Sequence, residues 1–391
     1  IRQVQRDPGV LWYKTGNRIG FHIYPFSGGE IRQTGIELMH KEPVTLSMDG
    51  KSVNLGDTLH TGNVSRSGFV EGVDYLSGDE KRNLKRVVRK PYFHFILDIS
   101  AGAQSSAGMY YESLDYLMEN YAELSEGARF SFVNSSVSTI ENGKQWFDEL
   151  KEQQFKGGFF LDRAIRSLLA AHYLEQSGTY PVFVVVSGNP GKAVILDDFG
   201  DLEFTYPDED RFYFMGNDWE PYGHALFNNP GVVADSIPGI RRPRSVLAYH
   251  ASDGSKIHVP DNGEPSVVIV PSGFSPEAID APEGLWNKAL HQQGLWRWFK
   301  LHPDQEGKNW RTLVRSSFTT GIMTPLTSYI VVENEAQKAA LLRKQKQVMD
   351  GHRQLDLNDE VVSMSEPGLL IPVILLAALL GFRLRKTGFT F

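Results

Sequence analysis

The sequence predicts an α/β protein: a domain built on a parallel sheet, preceded by part of an all-β domain and followed by a C-terminal transmembrane helix. Three observations carry this. Apolar, strand-like runs at Phe93–Asp98, Ala128–Val133 and Pro181–Ser187 alternate with helical patterns at Tyr110–Leu124 and Leu161–Leu174, and strands separated by helices build parallel sheets. Residues 17–46 instead alternate apolar and polar side chains at period two, as half-buried strands do. Near the end, Gly368–Phe382 is an uninterrupted apolar run of fifteen residues, closed by Arg383, Arg385 and Lys386.

Taken in chain order, Arg18–Phe26 reads as a strand, Ser27-Gly28-Gly29 as a turn and Glu30–Leu46 as its return, giving a hairpin or part of a sandwich. The stretch Asn17–Glu37, with the earlier Arg6-Asp7-Pro8-Gly9, resembles the second half of a VIT domain, the module at the front of inter-alpha-trypsin-like proteins. That resemblance implies a first half upstream of Ile1 and a domain covering residues 1–60. The opening Ile1-Arg2-Gln3 has neither an initiator Met nor an apolar leader, so the chain reads as a fragment whose export signal is expected upstream. The polar stretch 61–90 reads as a linker.

Residues 91–275 are expected to form the α/β domain. Its second part is richer in hairpin signals: Ser245–Ala251 and Lys256–Val259 alternate around Ser252-Asp253-Gly254-Ser255, and Ser266–Val270 reads as one more buried strand. Over 276–350 the expectation is helical. Pro276–Lys300 carries Trp286, Leu290, Leu295, Trp296 and Phe299 at helical spacing, a stripe better explained by core packing than by a cofactor. Thr324-Pro325-Leu326-Thr327-Ser328-Tyr329-Ile330-Val331-Val332-Glu333 then reads as a strand and Asn334–Met349 as a charged helix. This pair resembles the segment that follows the von Willebrand A domain in VIT-containing proteins, which implies that 91–275 is von Willebrand A-like.

In von Willebrand A domains a divalent cation sits at the C-terminal edge of the sheet, held by a DxSxS loop and by later Thr and Asp residues. Those hard oxygens suit Mg²⁺. Here the first loop is Asp98-Ile99-Ser100-Ala101-Gly102, the Thr position holds Phe159, and Gly188 stands in the later acidic position. Asp98 and Ser100 are a residual MIDAS-like pair, too few protein oxygens for a tight Mg²⁺ site. The expectation is therefore no metal and no other cofactor, with Asp98 pinning a loop and Ser100 and Ser105 bonded to backbone. A shifted loop that brings in Asp197 or Asp198 is the alternative. The sheet edge around Ser100–Ser106 and Gly188–Gly191 is expected to face an unknown protein partner.

The tail carries the last signal. A polar linker, 351–366, ends in Met364-Ser365-Glu366-Pro367, and the apolar run and basic tail fill 367–391. Fifteen apolar residues fall short of the ~20 that span a bilayer comfortably, a gap that local thinning and snorkelling of the flanking cations can close. Cations directly after a span favour the cytoplasm. That places the bulk of the chain on the non-cytoplasmic side, in the periplasm or at the cell surface. Motif, apolar helix and basic tail in this order resemble the tripartite signals processed by exosortases, and the letters Met-Ser-Glu-Pro match the MSEP-CTERM proteins of the exosortase N system in certain Gram-negative bacteria. The resemblance implies an exosortase as processing partner, membrane lipid as the second partner, and cleavage near Met364, Ser365, Glu366 and Pro367. Pro367 keeps the residue before it out of helical conformation, which leaves the motif extended.

Other classes lack support. The net charge is -7 and basic residues gather only in short runs such as Lys81–Lys90, so no nucleic-acid partner is expected. No cysteine is present, which removes disulfides and thiolate chemistry. Histidines at 94, 172, 224, 250, 258 and 291 show no zinc-protease spacing, and neither a phosphate loop nor a nucleophile elbow occurs. The chain is read as a binding or structural protein and not an enzyme.

Overall fold

The computed structural model describes residues 9–14, 18–22, 29, 44–48, 50–55, 70–140, 145–196, 198–227, 237–251, 253–270, 272–276, 283–303, 306–331 and 335–349. Residues 1–338 form one compact unit and 339–391 another; of the second, 339–349 are described and are helical.

The first strands are β1 (Gly9–Lys14) and β2 (Arg18–His22), paired antiparallel, with Val10 opposite His22 and Lys14 opposite Arg18. Most of the expected Ser27-Gly28-Gly29 turn and its return strand lies outside the described residues. A short hairpin follows, β3 (Thr45–Met48) and β4 (Lys51–Asn54), turning through Gly50 at φ +73°. Of the stretch 61–90 read as a linker, the described part, 70–90, is built into the fold. It holds β5 (Val73–Leu76), α1 (Gly78–Arg82) and β6 (Lys85–Val87). A reciprocal cap starts α1: Glu80 N–H donates to the Ser77 hydroxyl at 3.2 Å, and Ser77 N–H donates to the Glu80 carboxylate at 2.7 Å.

Next come the elements of the α/β core: β7 (Lys90–Asp98), α2 (Ala107–Asn120), α3 (Ala122–Ser125), β8 (Arg129–Val133), β9 (Val137–Ile140), α4 (Trp146–Glu152), α5 (Leu161–Glu175), β10 (Thr179–Val186), β11 (Arg211–Met215), β12 (Pro221–Ala225) and β13 (Ile237–Pro238). Their strands form one seven-stranded sheet, ordered β13-β12-β11-β10-β7-β8-β9. The four central strands are parallel, and β9, β12 and β13 are antiparallel. The mixed α/β architecture with a parallel-containing sheet is therefore present. On β7, Phe93, Phe95, Ile96 and Leu97 are all fully buried, the state that a continuous apolar run demands of a strand covered on both faces. The helix read as Tyr110–Leu124 starts earlier and breaks at Tyr121, where φ −128° and ψ 52° leave helical space.

The remaining strands are β14 (Val246–His250), β15 (Lys256–Pro260) and β16 (Ser266–Ile269). They pair backwards across the core: β6 joins β14 and β15 in one antiparallel sheet, and β5 pairs with β16. Helix α6 (Leu285–Leu301) begins after Gly284, later than the expected Pro276. It packs tightly on β5, because Gly294 leaves room for Val73: a Cβ there would stand 2.3 Å from Val73 Cγ2. Helix α7 (Glu306–Thr320) lies against it. The last strand, β17 (Ser328–Val331), pairs antiparallel with β1, so residues some three hundred positions apart close one sheet. Helix α8 (Glu335–Met349) ends the described chain.

Two apolar clusters result. One fills the seven-stranded sheet and its helices, and the other joins β5, β14–β16, α6 and α7 to Ala170 and Tyr173 of α5. A guanidinium is buried between β6 and β7. Arg89, only 6% exposed, forms a two-pronged ion pair with the fully buried Asp208, donating through Nε at 2.9 Å and through Nη2. Its Nη1 donates to the carbonyls of Ser177 and Thr179, and Nη2 also meets His172 Nε2 at 3.3 Å.

Candidate functional site

The C-terminal edge of the parallel strands gathers the residues singled out in the first loop. Asp98 ends β7 and is 3% exposed. One carboxylate oxygen accepts the Ser100 N–H at 2.8 Å, and the other accepts the Ser187 hydroxyl at 2.6 Å. Its main-chain carbonyl accepts the Tyr110 hydroxyl at 2.7 Å. Burial, and then the neighbouring Asp98 charge, push the Tyr110 hydroxyl above its ordinary range, so it remains a donor. Asp98 thus clamps the start of one loop to the end of the next strand. Ser187 passes the link on, its oxygen accepting Asn189 N–H at 3.2 Å.

The other positions follow from packing. Phe159 is 2% exposed, and its carbonyl accepts Val194 N–H at 2.8 Å, so this position is a ring in the core with a bonded backbone. Gly188 cannot carry a carboxylate: a Cβ there would fall 1.9 Å from Ser106 Oγ and 2.3 Å from Ser106 Cβ. Two expectations need correction. The Ser100 hydroxyl does not cap the turn that follows it, and Ser105 is exposed, with no backbone partner for its hydroxyl among the described residues. Ser100 contributes its N–H to the site instead, because the Asp98 carboxylate already lies at hydrogen-bonding distance from it. A cation also stands nearby, since Lys192 Nζ is 3.7 Å from the position a Gly102 Cβ would take.

Asp198 belongs to a different network. Its side chain accepts Gly200 N–H at 3.0 Å, and its carbonyl accepts Arg166 Nη2 at 2.8 Å. Arg166 also pairs with Asp162 at 2.8 Å and Asp201 at 2.7 Å, and Lys300 reaches Asp201 at 3.0 Å. Asp197 lies outside the described residues. Among the described residues no three His, Asp or Glu side chains gather closely enough to hold an ion. The edge therefore offers Asp98 with both oxygens engaged, exposed backbone at Gly188 and Asn189, and a lysine. Such a surface can dock a partner through backbone groups.

Met364, Ser365, Glu366, Pro367, Arg383, Arg385 and Lys386 lie outside the described residues, as does the apolar run between them. Among the described residues no helix is long and apolar enough to cross a membrane. Sequence reasoning did not find the Arg89–Asp208 pair. Its signal was an arginine directly before a buried strand, where a cation has nowhere to reach solvent.

Comparison with known proteins adds little. No family model matches the chain. No curated protein matches it either. Among solved structures, the pilus adhesin SpaC from Lactobacillus rhamnosus GG in its open conformation aligns over 66% of this chain and 30% of its own length, at 13% identity and a TM-score of 0.22. A likeness at that level carries no argument about fold or role.

Proposed function

We propose that this chain is an envelope-anchored, non-catalytic binding or structural protein of the MSEP-CTERM type, and a sorting substrate of an exosortase. The observation that carries the reading is the ordered tail: Met364-Ser365-Glu366-Pro367, the apolar run Gly368–Phe382, then Arg383, Arg385 and Lys386. In this reading the seven-stranded sheet is a degenerate von Willebrand A-like domain, and β1, β2 and β17 belong to the VIT-like part. The pairing of β17 with β1 supports the second assignment, because it brings the strand that resembles the segment after a von Willebrand A domain beside the strand that begins at Gly9, the last residue of the Arg6-Asp7-Pro8-Gly9 resemblance.

The proposed partner surface is the sheet edge at Ser100–Ser106 and Gly188–Gly191, acting without a cation. Each Asp98 oxygen already accepts one hydrogen bond, from Ser100 N–H and from the Ser187 hydroxyl, and Phe159 and Gly188 add no ligand oxygen from a side chain, which supports this. A Mg²⁺-dependent adhesion site at Asp98 and Ser100 would instead raise the melting temperature on adding Mg²⁺, and no such rise is expected.

The sorting reading is tested by producing the full chain in cells with and without the exosortase and sequencing the mature C-terminus by mass spectrometry. Loss of residues beyond the Met364–Pro367 region only where the enzyme is present is the expected result. An intact Phe391 terminus in both cells would leave a permanent helix anchor and reject sorting.

A further inference from the structure

Helix α6 carries the aromatic stripe, and the members of that stripe differ in burial. Leu290, Leu295 and Phe299 are 4%, 1% and 2% exposed, whereas Trp296 is only half-buried. Trp296 lines a cleft of about 1180 Å³ that α6 shares with β15, β16 and the end of β1. Lys300, one turn on, sets its ammonium 4.5 Å from the centre of the indole and is itself pinned by Asp201 at 3.0 Å. The ring is therefore held in place before any ligand arrives. The end of β1 adds a second ring to the cleft, Tyr13, which is 40% exposed.

The polar groups open to this cleft are of mixed kind. Gln293 is exposed, and neither end of its amide has a partner among the described residues. Asn262 is exposed too; its Oδ1 accepts Lys81 Nζ at 2.6 Å, which leaves its Nδ2 as a donor. Glu264 is exposed, and its carboxylate has no hydrogen-bond partner among the described residues. Burial, and then the Glu264 charge, raise the Glu203 carboxyl of the same cleft above its usual range, so further negative charge is unwelcome there. Lys14, Arg166 and Lys300 also line the cleft and oppose a cation.

Donors beside acceptors, with charges of both signs, select a neutral ligand whose own groups donate and accept. A hydroxyl does both. A peptide backbone does so too, but it docks by pairing with an open strand edge. On β16 the carbonyls of Val267 and Ile269 are already taken, by Arg297 and by Tyr173 at 2.8 Å. Indole and phenol rings, in turn, give flat apolar surface to the C–H faces of a sugar ring.

We propose that this cleft binds a neutral oligosaccharide, with sugar rings against Trp296 and Tyr13 and hydroxyls on Gln293, Asn262 and Glu264. Its volume of about 1180 Å³ exceeds the ~300–1,000 Å³ of a small-molecule site, which calls for a chain of several sugar units. The site uses no residue of the sheet edge at Ser100–Ser106 and Gly188–Gly191 and none of the C-terminal tail. Its failure and theirs are separate results.

The test is isothermal titration calorimetry on the full chain in a zwitterionic detergent, because a sugar-headed detergent would compete. Maltotetraose, cellotetraose and chitotetraose are the neutral probes, glucose is the single unit and tetragalacturonate the charged control. At least one neutral tetramer is expected to bind saturably, about tenfold or more tightly than glucose and tetragalacturonate. Trp296→Ala should weaken that tetramer by about tenfold. Tyr13→Ser and Gln293→Ala, both at exposed positions where the fold tolerates change, should each weaken it several-fold. No saturable binding of any of the three tetramers at millimolar concentration would overturn the proposal. Binding unchanged in both Tyr13→Ser and Gln293→Ala would overturn it as well, by placing the sugar elsewhere, and so would a preference for tetragalacturonate over every neutral tetramer.

Discussion

Arg89, buried, and Arg297, half-buried, meet the same problem in opposite ways. Arg89 finds its counter-charge within the chain, with Asp208 on two nitrogens and carbonyls and His172 around the rest. Arg297 finds only neutral groups, a carbonyl and a ring, and keeps one nitrogen without an acceptor. A buried charge completed by its own chain holds the fold together. One left incomplete holds its charge at a cost that the fold bears elsewhere.

Breaking the complete pair should have the largest effect. Asp208→Ala strands a cation that is 6% exposed, and urea denaturation should show a loss of about 3–5 kcal/mol. Replacing both partners at once, Arg89→Met with Asp208→Leu, should recover most of it, since the chain no longer has to desolvate two charges. A loss as large in the double variant would mean that packing, and not charge, dominates there.

Histidine sharpens the comparison, because it can become a buried cation on demand. His94 is 5% exposed and meets Ser131 Oγ at 2.8 Å. Burial, and then the Arg129 charge, lower it to about 3; His258 falls to about 3 through burial first and then through Arg89, Lys256 and His250. The unfolded ring takes up its proton near pH 6.5 while the folded ring does not, so the unfolded state binds more protons below that pH. Stability is then complete above about pH 6.5 and declines as pH falls toward about 3, by about 2 kcal/mol for His94 at about pH 5. Thermal melts from neutral to about pH 5 should show the decline, and His94→Gln should flatten it. An unchanged slope in that variant would locate the acid sensitivity elsewhere.

The fold was legible where one local signal sufficed. The apolar runs of β7, β8 and β10 and the 3.6-residue period of α5 name their own structure, because burial on both faces or on one stripe is written into consecutive residues. Strands β5 and β6 were hidden in a polar stretch because their partners, β16 and β14, lie far along the chain. The Ser77 and Glu80 cap of the helix between them was not read from the sequence either. At the sheet edge, Asp98, Ser100, Phe159 and Gly188 were all readable as letters. That Ser187 fills the second Asp98 oxygen, and that Ser106 forbids a side chain at position 188, depend on contacts across separate loops. Arg297 was masked by its neighbours, since a stripe containing Trp296 and Phe299 reads as core.

Smaller effects test the closed edge and Arg297 directly. Gly188→Ala sets a methyl against Ser106 and should cost about 1–3 kcal/mol, with Ser106→Gly restoring most of it; a neutral Gly188→Ala would mean that the loop yields and leaves room for a ligand there. Arg297→Met should change stability by no more than about 1 kcal/mol, since the lost carbonyl bond and ring contact are offset by relief of an unpaired buried charge. A loss as large as that of Asp208→Ala would make Arg297 a structural residue.

The same question, where a group's partner comes from, decides the C-terminal proposal. Gly368–Phe382 offers fifteen apolar residues, and on the proposed reading lipid covers them. Fractionation of cells that make the full chain, beside a chain stopped after Asp350, puts this most directly. The full chain should pellet with membranes and need detergent for release, while the shortened one stays in the soluble fraction. A full chain that remains soluble without detergent would contradict the account.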